Sequence, residues 1–215
     1  MPINQSKKRT KLLLEAAIER HKNGQLVAAN LIYQEIRKSE PNNIDVLNLS
    51  GVLSSQIGQH DIALNLLSKA IDIDPGFAEA FNNRGAVLKE LEQLKEALKH
   101  YNKALSLNPN YSDALNNRGN VLRDFDRFDE SLCDLNKAIA LKPDYAQAYN
   151  NRGVTLGYLG KFEQSFNDFN KAISLKPDYA EAYTNKFANS VLKFNFNLSW
   201  PLYEWRWVGK NEAWS

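Results

Sequence analysis

Five prolines, Pro41, Pro75, Pro109, Pro143 and Pro177, stand 34 residues apart. Between them the triplet Asn-Arg-Gly recurs at 83–85, 117–119 and 151–153. A chain that repeats itself at this spacing is an array of small supersecondary units, each burying its apolar face against its neighbours. With the proline placed at position 32 of each unit, position 8 reads Gly51, Gly85, Gly119 and Gly153. Position 20 reads Ala63, Ala97, Ser131 and Ser165, and position 27 reads Ala70, Ala104, Ala138 and Ala172. Position 24 is large: Leu67, Tyr101, Leu135 and Phe169. Small residues at 8, 20 and 27 let two helices approach, and large ones at 4, 11, 17 and 24 fill the space between them.

This pattern resembles the tetratricopeptide repeat, which is 34 residues long, with a large residue at 4, Gly at 8, Ala at 20 and 27, and Pro at 32. The resemblance implies an all-α, right-handed superhelical solenoid of helix-turn-helix repeats. Five repeats span 10–43, 44–77, 78–111, 112–145 and 146–179, preceded by a flexible polar stretch at 1–9. Helix A of the first repeat is expected from Thr10 to Asn23. Gly24, Gly58, Glu92-Gln93, Asp126-Arg127 and Gly160-Lys161 mark the turns into helix B. A divergent sixth unit occupies 180–215. It has Phe187 at position 8 and Arg206 at position 27, and all four tryptophans, Trp200, Trp205, Trp207 and Trp214, lie in its tail. Pro201 is tolerated only in a first turn, so the last helix is expected to start at 199–201. The expected role of Trp200, Tyr203 and Trp207 is one stripe that caps the array.

The bulk composition narrows the function. The 215 residues carry 27 basic and 25 acidic side chains, a net charge of +2. That balance argues against nucleic acid as partner, which favours a strong basic excess. One cysteine, Cys133, rules out a disulfide framework and suits a reducing compartment. No apolar run reaches the roughly 20 residues of a membrane span. The N-terminal apolar run, Leu12–Leu14, is too short for a signal peptide. The expected location is cytoplasmic, with no membrane partner.

Chemistry is sparse. His21, His60 and His100 fall at different repeat positions and form no metal or base cluster, and Cys133 has no evident activating neighbour. Phosphate-loop, dinucleotide, C-x-x-C and H-E-x-x-H motifs are absent. No catalytic residue, metal or cofactor is expected.

The asparagines are the informative residues. Positions 5 and 6 read Asn82-Asn83, Asn116-Asn117 and Asn150-Asn151, with Asn48 and Asn185 in the flanking units and Asn120 at position 9. Asn costs a helix interior roughly 0.5 kcal/mol relative to Ala, so helix propensity does not explain the repetition. In the family, helix A lines a concave groove, and a carboxamide column there can grip an extended peptide backbone. A similar ladder marks the repeats of O-linked N-acetylglucosamine transferase. The alternative is that the amides bridge adjacent repeats or are solvated. If they serve a ligand, replacing Asn83, Asn117 and Asn151 by Ala keeps or slightly raises stability. Acidic residues at position 2 (Asp45, Glu79, Asp113, Glu181) suit the positive end of the helix dipole. Arg84, Arg118, Arg152 and Lys186 at position 7 are expected to pack structurally, with Asp134 and Asp168 as candidate partners in weak surface pairs.

The string at 200–207 is similar to a W-x-x-Y-E-W-R-W segment that ends the repeat region of many bacterial repeat proteins. In those proteins a glycosyltransferase-like domain often follows. The expectation is a non-catalytic scaffold holding a protein or peptide in its groove, with self-association through the array ends as a further possibility. The other reading is the substrate-recruiting region of a protein glycosyltransferase whose catalytic domain is absent from these 215 residues.

Overall fold

In the computed structural model, residues 2–195 are described, with side chains over 8–192. Among them the chain is all-α: eleven helices and no strand. The expected Trp200, Tyr203 and Trp207 stripe, Trp205 and the helix start at 199–201 lie outside the described residues.

The helices fall into two compact units divided between Lys142 and Pro143. The first holds α1 (Pro2–Lys22), α2 (Leu26–Ser39), α3 (Ile44–Gln56), α4 (His60–Ile73), α5 (Ala78–Glu90), α6 (Leu94–Leu107), α7 (Ser112–Asp124) and α8 (Phe128–Leu141). The second holds α9 (Ala146–Tyr158), α10 (Phe162–Leu175) and α11 (Ala180–Asn195). Odd-numbered helices are the A helices of the 34-residue pattern and even-numbered ones the B helices. α1 begins at Pro2, ahead of the expected start at Thr10. Nothing between Ile3 and Lys22 breaks a helix, and proline at the first helical position is pre-set for it.

The turn from A to B is the same in every repeat. Position 15 is left-handed throughout: φ is 73° at Gly24, 75° at Gly58, 59° at Glu92, 59° at Asp126 and 70° at Gly160. The amide after it reaches back to the last turn of helix A, as in Gln25 to Arg20, Gln93 to Leu88 and Lys161 to Leu156, each at 2.8–2.9 Å. This is a Schellman closure, and it satisfies carbonyls that the helix end would leave bare.

Helix A and helix B meet through glycine 8 and the large residue 24. A Cβ on Gly85 would sit 2.7 Å from Cε1 of Tyr101, and one on Gly153 would sit 2.7 Å from Cε1 of Phe169. Each ring therefore lies on bare backbone, a contact no other residue at position 8 allows. Leu67, Tyr101, Leu135 and Phe169 are all sealed from solvent, as are Ala70, Ala104, Ala138 and Ala172. The sixth unit departs from this rule: Phe187 occupies position 8 of α11 and is exposed, as is Tyr183.

Candidate functional site

Within each unit, positions 5 and 6 of the A helices place the asparagines along one face. In the first unit, five carboxamides form one hydrogen-bonded chain across three repeats. Asn116 donates to Asn117 at 3.4 Å and Asn117 to Asn82 at 3.0 Å. Asn82 donates to Asn83 at 3.3 Å and Asn83 to Asn48 at 2.8 Å. In the second unit Asn185 donates to Asn150 at 3.0 Å, and Asn150 donates to Oε1 of Glu181 at 3.2 Å. The rule is simple: a position-6 amide donates to the position-5 carbonyl of the preceding repeat. Within the third and fourth repeats, position 5 donates to position 6. Such a chain is polarised in one sense, so each bond strengthens the next.

Burial follows the same split. Asn48, Asn82, Asn116, Asn150 and Asn151 are buried, while Asn83, Asn117, Asn120 and Asn185 are half-buried. The side-chain oxygen of Asn120 is buried without a partner. The amides are thus engaged between repeats, the use that the sequence left open beside peptide capture. The expectation that Ala at these positions keeps or raises stability therefore reverses at Asn83 and Asn117, because each bridges two repeats. Each carboxamide has two donors and two lone pairs, and bridging leaves part of that capacity unspent on the half-buried members.

Tyrosines at position 34 complete the face, and the sequence reading did not single them out. Burial, helped by Asp113 and Glu79, pushes the Tyr111 phenol up to about 12, with nearby Asn82 pulling the other way. Burial, with Glu181 beside it, pushes Tyr179 up to about 12 as well, with nearby Asn150 pulling the other way. The signal was present as Tyr111, Tyr145 and Tyr179 at one repeat position, each just after a proline turn. Of the position-2 carboxylates, Glu79 and Asp113 lie near Tyr111 and Glu181 near Tyr179; Asp45, Glu79 and Glu181 are exposed and Asp113 is half-buried.

Position 7 confirms the named partners and corrects their strength. Arg118 grips Asp134 with Nε and Nη2, both at 2.7 Å, and Nη1 donates to Asn102 at 2.9 Å. Arg152 grips Asp168 through Nε at 2.7 Å and Nη2 at 2.6 Å. Asp134 and Asp168 are buried, so these are two-pronged interior pairs and not weak surface ones. A cavity of about 190 Å³ opens beside the Arg118–Asp134 pair, with the exposed Cys133 on its rim. Arg127, which lines the same cavity, is held by Glu130 at 2.6–2.7 Å.

The histidines lie apart. His21 meets Gln56 at 2.8 Å, His60 stands 3.6 Å from Glu90 and His100 stands 2.9 Å from Arg84. Among the described residues no group of three His, Cys, Asp or Glu side chains is placed to hold a metal. Among them, too, no helix is long and apolar enough to cross a membrane.

Comparison with known proteins agrees with this architecture. The family model described as "Tetratricopeptide repeat" matches residues 78–111 and 146–179, and a second model of that description matches 100–132. A model described as "TPR repeat" matches 119–157. No curated protein sequence matches the chain. Among solved structures, YrrB, "a TPR protein with an unusual peptide-binding site", is 25% identical over 86% of this chain and 96% of its own, with a TM-score of 0.59. MamA is 25% identical over 77% of this chain and 96% of its own, with a TM-score of 0.60. A thermophilic TPR protein of Thermus thermophilus, TTC0263, is 16% identical over 85% of this chain and 99% of its own, with a TM-score of 0.74. With its 34-residue period, its glycine-on-ring helix pairs and these matches, the chain belongs to the tetratricopeptide repeat family.

Proposed function

We propose that this protein is a non-catalytic scaffold that holds an extended segment of a partner protein along the asparagine face of its A helices. One observation carries the reading: the chain Asn116–Asn117–Asn82–Asn83–Asn48 sets carboxamides at fixed register, with hydrogen-bonding capacity left on its half-buried members. A carboxamide both donates and accepts, so it matches a peptide backbone in any sequence. The peptide-binding site named for YrrB, a repeat array of similar extent, supports the same use of the fold.

The test is binding of extended peptides from a random-sequence display library to the parent, Asn83→Ala and Asn117→Ala. Variants are compared only where circular dichroism shows an intact fold. Each lost hydrogen bond, at about 0.5–1.5 kcal/mol, weakens binding roughly two- to tenfold. Folded variants that bind every selected peptide as tightly as the parent would refute the reading.

A second reading has its own support in the segment Trp200, Tyr203, Glu204, Trp205, Arg206 and Trp207. It makes the array the substrate-recruiting part of a protein glycosyltransferase. A natural reading frame that runs on into a sugar-nucleotide domain would favour it, and one without such a domain would end it. Self-association would draw on the exposed Val27 and Leu31 of α2 or Tyr183 and Phe187 of α11. Sedimentation over a range of concentrations decides that point.

A further inference from the structure

Position 7 of α5, α7 and α9 faces position 23 of the B helix that follows, and the third repeat breaks the rule set by the fourth and fifth. Those two pair Arg118 with Asp134 and Arg152 with Asp168. In the third repeat, position 23 is His100, and Nη1 of Arg84 lies 2.9 Å from its Nε2. A guanidinium has only donors, so Nε2 must accept and the imidazole is neutral, with its proton on Nδ1. Arg84 Nε and His100 Nδ1 are both buried without a partner. The ring is half-buried and stacked on Phe81 of α5, with centroids 5.9 Å apart. The charges acting on it are Arg84 from α5, and Glu96 and Lys99 on its own helix α6. Glu96 is already held by Lys99 at 2.7 Å.

We propose that the Arg84–His100 contact is an acid-sensitive joint in the third repeat. Protonating His100 turns its only acceptor into a donor and sets an imidazolium against a guanidinium. The contact that joins α5 to α6 then becomes a repulsion. α5 also carries Asn82 and Asn83, through which the carboxamide chain passes, so loosening it weakens the bridges to Asn48 and Asn117. The inference does not depend on what, if anything, the asparagine face binds.

Burial, and then the positive charge of Arg84, hold the His100 pKa below the ordinary histidine value. The folded ring therefore resists a proton that the unfolded chain accepts at about 6.5. Stability is full above that pH and is lost as the pH falls below it toward the folded pKa. The effect is at most tenfold in the opening equilibrium per pH unit.

The experiment is amide hydrogen exchange of the full chain at pH 7.5 and 5.5, corrected for intrinsic rates, with His100→Asp alongside. The parent should lose several-fold more protection in α5 and α6 than in α7 and α8 on acidification. His100→Asp, which restores the carboxylate found at positions 134 and 168, should abolish that difference. Ring titration of the parent by nitrogen-15 NMR supplies a check that needs no variant: His100 should carry its proton on Nδ1 at pH 7.5 and titrate below 6.5. Uniform loss of protection in all helix pairs, an unchanged selective loss in His100→Asp, or a ring that titrates at or above 6.5 overturns the proposal.

Discussion

The side-chain amide of Asn117 donates to the carbonyl oxygen of Asn82 at 3.0 Å, which ties the fourth repeat to the third. Asn82 is 4% exposed and also donates to Asn83 at 3.3 Å. Asn82→Ala leaves Asn117 without its acceptor and Asn83 without its intra-repeat donor. Asn83 and Asn117 are half-buried, so each lost hydrogen bond costs its net worth of about 0.5–1.5 kcal/mol, and the better helix propensity of Ala returns only about 0.5 kcal/mol. We expect a net loss of about 1–2 kcal/mol in urea denaturation. A variant as stable as the parent would show that the amides are solvated.

Gly85→Ala tests the helix pairing. Ala is the better helix former by about 1 kcal/mol, so propensity alone predicts a gain. The new methyl would stand 2.7 Å from Cε1 of Tyr101, a fully buried ring that cannot step aside. Overpacking of this kind costs typically 1–3 kcal/mol. We expect lower stability and a disturbed Tyr101 environment in near-ultraviolet circular dichroism. Ala104→Leu, which crowds another sealed position of the same B helix, should destabilise by a similar amount. An increased melting temperature in Gly85→Ala would contradict the contact.

Glu92 and Asp126 hold left-handed backbone where three other repeats have glycine. For a residue with a Cβ that conformation costs about 1–2 kcal/mol, and glycine adds back about 0.5–1 kcal/mol of chain entropy. Glu92→Gly should therefore raise stability by up to about 1 kcal/mol. Asp126→Gly should gain less, because a short polar side chain tolerates the left-handed region better. Thermal melts of the two variants against the parent measure both the sign and the order.

Alkaline titration provides a test of burial at the tyrosines. Burial pushes the phenols of Tyr33 and Tyr111 up to about 12. A free tyrosine ionises near 10. The raised folded value means that the stabilisation is complete below pH 10 and is lost as pH rises toward 12. We expect phenolate absorbance to show a late class of tyrosines, and Tyr33→Phe and Tyr111→Phe to flatten the fall in stability between those values. If all nine tyrosines titrated together near 10 in the folded chain, the assignment would fail.

The internal period made much of this architecture readable. Helix pairing by a small residue at 8 and a large one at 24 is a matter of volume within one unit, so Gly85 and Tyr101 identify each other without coordinates. The Arg118–Asp134 and Arg152–Asp168 pairs were legible as partners for the same reason. Their burial was not, because it depends on how neighbouring helices cover them: Asp134 sits in the interior while Glu130, on the same helix, is exposed. The asparagines were legible as a column but not as a chain. Whether Asn83 reaches Asn48 or a ligand is set by the offset between successive A helices, and a repeat period says nothing about that offset. The left-handed turns at Glu92 and Asp126 were hidden because Glu has no preference for that conformation and Asp only a weak one, although Gly24, Gly58 and Gly160 occupy the same position.

Every asparagine-to-asparagine bridge described between repeats, Asn83 to Asn48, Asn117 to Asn82 and Asn185 to Asn150, donates from the later repeat to the earlier one. Within each unit the column therefore has a sense, like the nap of a cloth. A palindromic strip of amides would welcome a peptide strand in either direction, but this one does not look the same from its two ends. A strand laid along it forwards meets a different sequence of spare lone pairs and protons from one laid backwards. If the proposed binding holds, the polarity of a bound strand is selected before any of its side chains is read.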